Sequence, residues 1–228
     1  MVINTRRTLL KKTGLLGIGL LAHQLPLASN QCLLTPQQTE GPFYPLQFPQ
    51  DQNNDLTLIE GHSQPAKGEM IMIKGRVLID GCQPIKGAKV EIWQACTSGR
   101  YNHDYDGNPA PLDPNFQYWG YGTTDDDGQY SFITVKPGSY PVTRDWQRPP
   151  HIHFKVTAPT LSPLITQLYF SEETELNQKD RILGRVPPQK KELVITQLIF
   201  DNSLKKRVGQ FNIILGQSLA NNVTPEIV

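Results

Sequence analysis

Apolar and polar positions alternate along most of the chain after its first third. Met70-Ile71-Met72-Ile73-Lys74-Gly75-Arg76-Val77-Leu78-Ile79 reads as a strand ending at the turn signal Asp80-Gly81, and Ala88 to Trp93 alternates as a second. A third strand is predicted over Gln129 to Val135, introduced by Asp127-Gly128 and closed by Lys136-Pro137-Gly138. Further strands are predicted from His151 to Val156, Leu164 to Phe170, Leu193 to Phe200 and Val208 to Leu215, with one short helix from Thr174 to Leu183. Short strands separated by turn residues predict an all-β fold, an antiparallel sandwich over residues 69–218. Residues 30–68 are turn-rich yet carry Phe43 and Tyr44, and read as an ordered arm lying on that domain. Residues 219–228 form a tail. From Cys96 to Asp127 no pattern emerges; a loop of that length inside a compact domain is usually functional.

The densest chemistry lies between Tyr140 and Phe154. Pro149 and Pro150 hold the backbone extended, and Ile152, Phe154 and Val156 alternate with His151, His153 and Lys155. Residues i and i+2 of a strand share a face, so both imidazoles can converge on one point. A bare His-x-His also fits an exposed or hydrogen-bonded face without metal. The chain has only five histidines, however, and His23, His62 and His103 are scattered. His151 and His153 are therefore read as metal ligands.

Composition narrows the function. The chain has 228 residues, 38% of them hydrophobic, enough for one domain with a sizeable core plus tails. A net charge of +1, with no basic run interleaved with aromatics, gives no footprint for nucleic acid and points to a small-molecule partner. Residues 1–29 look like a twin-arginine export signal: Arg6-Arg7, then Lys11-Lys12, then a weakly apolar stretch from Gly14 to Ala22. That stretch is shorter than the roughly twenty residues a membrane span needs. A periplasmic or extracellular protein without a stable span after export is expected, and since this route carries folded proteins, a metalloprotein fits it. Cys32, Cys82 and Cys96 lack C-x-x-C spacing and leave open one disulfide after export or buried free thiols.

Several stretches occur together in an order that carries a resemblance. They are Thr39 to Pro45, Pro84 to Ala95, Gly99-Arg100-Tyr101, Leu112 to Phe116, Thr124 to Phe132, Lys136 to Pro141, Trp146 to Phe154 and Leu164 to Phe170. With them the chain resembles the intradiol ring-cleavage dioxygenases, and within that family the β-type chain of the protocatechuate 3,4-dioxygenases. The resemblance implies a prealbumin-like sandwich with long active-site loops. It also implies a mononuclear non-haem Fe(III) held by Tyr101, Tyr140, His151 and His153, and a reaction in which a catechol and O2 give a cis,cis-muconate. Phenolate oxygens are hard donors suited to Fe(III). Tyr140 would be the axial ligand that leaves and helps take a catechol proton. Arg148 would stabilise charge developing on the ring, and Gln167 would orient the substrate or Arg148.

The chain departs from the family's protocatechuate enzymes at Val142, where they carry tryptophan. The expected substrate is a catechol bearing a substituent, protocatechuate among the candidates, with Val142 and the arm residue Tyr44 as pocket contributors. A homo-oligomer is left open. Arg148 also fits an ion pair with Asp145 at the surface, Gln167 a satisfied buried amide, and His103 a hydrogen bond within the loop. Two rival functions remain: a prealbumin-like binding module without catalysis, and a zinc hydrolase, which would need an acidic base beside the histidines.

Overall fold

The computed structural model describes residues 32–216; the twin-arginine segment and the residue 219–228 tail lie outside them. Two sheets face each other. The long strand β1 (Met70–Ile79) is the spine of the first. On one side it pairs antiparallel with β2 (Gln83–Pro84) and β5 (Gln129–Val135). Its other side takes β12 (Lys206–Gln210) and then β13 (Ile213–Leu215), with β11 (Ile199–Asp201) beyond β12 at the edge. The second sheet runs β10 (Ile195–Thr196), β9 (Leu164–Phe170), β8 (His151–Thr157), β3 (Lys89–Trp93) and β4 (Trp119–Thr123).

The alternation seen in the sequence sets the core between them. Ile71, Ile73 and Phe132 of the first sheet are buried against Val90, Ile92, Ile152, Phe154 and Leu168 of the second. The Phe154 ring stands edge-on to Phe132 at 6.5 Å and to Phe211 at 4.9 Å, geometries that aromatic quadrupoles favour.

Five expectations are corrected. The sheets are mixed rather than antiparallel: β12 and β13 run parallel to β1, and β10 parallel to β9. Period-two patterning fixes which face a strand buries, not the direction in which it pairs. The strand expected from Leu193 to Phe200 begins instead as a 3-10 turn, Pro188–Val194, because Pro187 and Pro188 start a helical turn more readily than a strand. The strand expected from Val208 to Leu215 is interrupted at Phe211 and Asn212. There the Phe211 carbonyl packs so close to Gly75 that a Cβ on Gly75 would lie 1.7 Å from it. Finally, the patternless segment after Cys96 contains β4, paired along its length with β3, and the helix stops at Lys179.

The arm is ordered, as expected. Thr35 exchanges hydrogen bonds with Ile214 at 3.1 and 2.9 Å, and Asp55 bridges to Ile133. A disulfide joins Cys32 at its start to Cys82 in the β1–β2 turn, while Cys96 is a buried free thiol. The arm covers the outer face of the second sheet.

Candidate functional site

That covered face carries the site. Across it the strand register sets Trp119, Trp93, His153 and Gln167 in one transverse row, with His151 and Tyr169 paired in the next. The i, i+2 spacing therefore does place His151 and His153 together, with ring centroids 5.0 Å apart and both side chains buried. Trp93 stacks on His153 at 4.8 Å. A small hairpin of β6 (Tyr140–Thr143) and β7 (Trp146–Arg148) delivers Tyr140 and sets Arg148 directly opposite it. Tyr101 arrives from the loop after β3. Its ring lies edge-on to Tyr140 at 5.6 Å, and its hydroxyl is 3.5 Å from His151 Nε2.

All four predicted donors are thus brought together. His151 Nδ1 donates to the Pro149 carbonyl at 2.7 Å, which fixes the tautomer and leaves the Nε2 lone pair facing the Tyr101 hydroxyl. His153 Nδ1 is buried without a hydrogen-bond partner. Burial, reinforced by the Arg148 charge, pushes both imidazoles well below their ordinary pKa, and each is neutral at physiological pH. Burial raises both phenols as well; Tyr140 adds to the rise at Tyr101, and Arg148 opposes it at both. Two neutral imidazole nitrogens and two phenol oxygens inside a protein form a donor set that a strongly charged cation completes, because it supplies what drives the phenol protons off. Among the described residues, no group of three or more His, Cys, Asp and Glu offers a different metal site.

Arg148 is buried, not at the surface. Its Nε donates to Asp180 Oδ2 at 2.8 Å and its Nη2 to Gln167 Oε1 at 2.6 Å, while Asp145 is paired with Arg181. Gln167 is fully buried and satisfied on both ends, since its Nε2 donates to the Thr39 carbonyl at 2.8 Å. His103 is the expected loop hydrogen-bonder, 3.2 Å from the Tyr44 carbonyl. Tyr44 and Val142 are not brought to the donors. The Tyr44 ring abuts Trp93, its hydroxyl donates to Glu91 at 2.9 Å, and Val142 is 46% exposed on the hairpin. The arm contributes Phe43 instead, stacked on Tyr101 at 4.5 Å and edge-on to Tyr140 at 6.2 Å. It also contributes Gly41, at positive φ, where an added Cβ would stand 3.4 Å from the His153 ring. The sequence did hold that signal, a glycine and an aromatic in one turn-rich stretch, but Phe43 and Tyr44 are indistinguishable by type. Asp180 and Tyr169 gave no signal at all.

Residues 39–217 match a family model described as Dioxygenase. The chain belongs to the intradiol dioxygenase family. It is 39% identical over 155 residues to the protocatechuate 3,4-dioxygenase beta chain of Burkholderia cepacia, covering 66% of this chain and 65% of that one. With the catechol 1,2-dioxygenase of Candida albicans it shares 31% identity over 173 residues, 69% of this chain and 54% of the relative. The match therefore spans less than two thirds of either relative's length. Among solved structures it resembles the dioxygenase domain of a dioxygenase carbohydrate-binding protein fusion from Streptomyces sp. SirexAA-E. That likeness has a TM-score of 0.61 at 28% identity and covers 81% of this chain and 99% of that domain. Within the family, Tyr101, Tyr140, His151 and His153 of this member stand on three separate stretches of the chain and meet at one point.

Proposed function

We propose that this protein is an Fe(III) intradiol dioxygenase that opens a substituted catechol between its hydroxyl-bearing carbons. The observation that carries the reading is the convergence of two neutral imidazoles and two phenols beside one buried arginine. Tyr101, Tyr140, His151 and His153 would hold the iron. When bound, Fe(III) supplies a Lewis acid that takes the catecholate and makes the ring reactive toward O2.

The protein's own groups do the rest. Tyr140 sits at the edge of the donor set, 8% exposed, on a short two-stranded hairpin. It is the phenol best placed to leave and receive a substrate proton at its Oη. Tyr101, 3% exposed and stacked under Phe43, is held in place. Arg148 lies opposite Tyr140 in the hairpin, where its fixed charge stabilises the anion forming on the ring. Phe43 and Trp93 exclude water from the two sides of the cluster. As tyrosinates, Tyr101 and Tyr140 would offset two of the three charges of an Fe(III) ion, which lowers the uncompensated charge that the buried site would have to hold.

The names of the Burkholderia and Candida relatives support a catechol-type substrate, and that of the Burkholderia relative a ring that bears a substituent. We read the paired sheets as the prealbumin-like form of sandwich. We also assign the protein to the periplasm or cell exterior; Arg6-Arg7 supports this, as does the Cys32–Cys82 bridge, which suits an oxidising compartment. A binding module has no use for four buried donors. Among the described residues the carboxylates around the site are committed elsewhere, which disfavours a zinc hydrolase: Asp180 to Arg148, Glu91 to Tyr44 and Lys89, Asp106 to the Tyr101 and Asn108 backbone N–H groups, and Glu40 to Lys155.

The test is turnover of protocatechuate and catechol by the iron-loaded protein under 18O2. Both oxygen atoms are expected in a ring-opened dicarboxylate. Consumption of neither substrate, with iron bound, would refute the reading.

A further inference from the structure

Arg148 is gripped along one edge. Its Nε bonds Asp180, and its Nη2 bonds Gln167 Oε1 and, at 3.4 Å, the Tyr169 hydroxyl; these contacts leave Nη1 without a partner among the described residues. A guanidinium is a planar fork, so fixing Nε and Nη2 fixes the direction of Nη1. The carboxylate doing most of that fixing is itself anchored without Arg148. Asp180 Oδ1 accepts the backbone N–H groups of Ile182 and Leu183 at 3.1 and 2.7 Å, and the Asp180 carbonyl accepts Gly184 N–H at 2.9 Å. The Asp180 side chain is fully buried. Leu183 and Val186, just beyond it, are core residues, so the turn that aims the carboxylate is nailed to the domain.

We propose that Asp180 is a positioning residue that holds the Arg148 guanidinium in the one rotation that leaves Nη1 free for the reacting substrate. Without that partner the long side chain would carry a buried, uncompensated charge. The oxygens left to draw it would be those of Tyr169, Tyr140 and Tyr101, the other groups whose charge acts on it, and a guanidinium turned toward them would no longer hold Nη1 in its present direction. Gln167 is a neutral acceptor and holds only one nitrogen, so it cannot replace a carboxylate at Nε. The inference rests on the function proposed above for its kinetic consequence, though not for its structural one.

Two kinds of measurement test it. In kinetics of the iron-loaded protein, Asp180→Asn should lower kcat about 10²-fold, the usual cost of one misplaced charge-stabilising donor. KM and iron content should be nearly unchanged, and Asp180→Glu should recover part of the loss. Arg148→Met and Arg148→Met/Asp180→Asn should turn over equally, because Asp180 then has nothing to position; this pair decides the matter if Asp180→Asn alone does not fold. The second readout needs no iron: the Arg148 Nε–H proton should give a resolved, slowly exchanging NMR signal that exchanges at least about tenfold faster in Asp180→Asn. Turnover of Asp180→Asn within about twofold of the parent, a further loss on adding Asp180→Asn to Arg148→Met, or an unchanged Nε–H signal would overturn the proposal. Failure of the parent to turn over any catechol would instead refute the function, and the Nε–H result would still stand on its own.

Discussion

Removing the Cys32–Cys82 bridge separates two roles that the arm combines. The cysteines are 50 residues apart in sequence, and a cross-link closing a loop of that length removes about 14 cal/mol/K of chain entropy from the unfolded state, about 4 kcal/mol at 25 °C. For a domain of this size each kcal/mol moves Tm by about 2–4 °C, so Cys32→Ser/Cys82→Ser should melt about 8–16 °C lower. The folded site should not notice. Three residues past Cys32 the arm is already tied by the paired Thr35 and Ile214 bonds, and at the site by Gln38 Nε2 to Thr166 Oγ1 at 3.1 Å and to the Gln167 carbonyl at 2.9 Å. Calorimetry of the oxidised protein and the double variant, paired with kcat and iron content at 25 °C, checks both halves. An unchanged Tm would refute the bridge's role in constraining the unfolded chain. A fall in kcat parallel to Tm would refute the claim that the arm's own hydrogen bonds seat Phe43 and Gly41.

Tyr140→Phe should keep its iron, lose about 1 kcal/mol of stability or less, and slow turnover about 10²-fold; His153→Ala should lose the iron, and full activity in either variant would contradict the ligand assignment. Gly75→Ala should destabilise the protein by at least about 1–3 kcal/mol in urea melts, because its Cβ would meet the Phe211 backbone rather than a movable side chain; a neutral effect would mean that the break between β12 and β13 is soft. Arg207 pairs with Glu69 and Glu172, and both carboxyls lie below their ordinary range: Glu69 chiefly through its hydrogen bonds to Arg207, and Glu172, against a strong opposing effect of burial, through Lys136 first and Arg207 second. Carboxylates depressed in the folded state stabilise it above the unfolded pKa and lose that contribution as pH falls through the folded value. Melting of the parent should therefore fall more steeply below about pH 4 than that of Arg207→Met, and parallel acid limbs would show that the pair is inert.

Strand positions were legible where side chains alternate, as at Met70 to Ile79 and His151 to Val156, because burying one face is what selects those residues. β4 was hidden by its glycines. Gly120 is required by a close backbone approach, since a Cβ there would lie 2.4 Å from the Asn53 carbonyl, and Gly122 removes another side chain that could have shown the pattern. Pairing direction was not legible, because parallel and antiparallel neighbours bury the same face. Nor was the disulfide: three cysteines permit more than one pairing. At the site, the His-x-His pair was readable from its spacing together with the scarcity of histidines elsewhere, whereas Tyr101 and Tyr140 became ligand candidates only through the family resemblance. Asp180 and Tyr169 stayed invisible for a physical reason, since an aspartate after a short helix and a tyrosine on a strand look ordinary until the fold sets them against Arg148.

The most direct test of the iron assignment is the metal content and visible spectrum of the purified chain, before and after anaerobic addition of a catechol. One iron per chain is predicted, with a tyrosinate-to-Fe(III) band in the visible that shifts when the catechol binds. A colourless protein that takes up no iron on reconstitution would contradict it, and the four converging donors would then need another explanation.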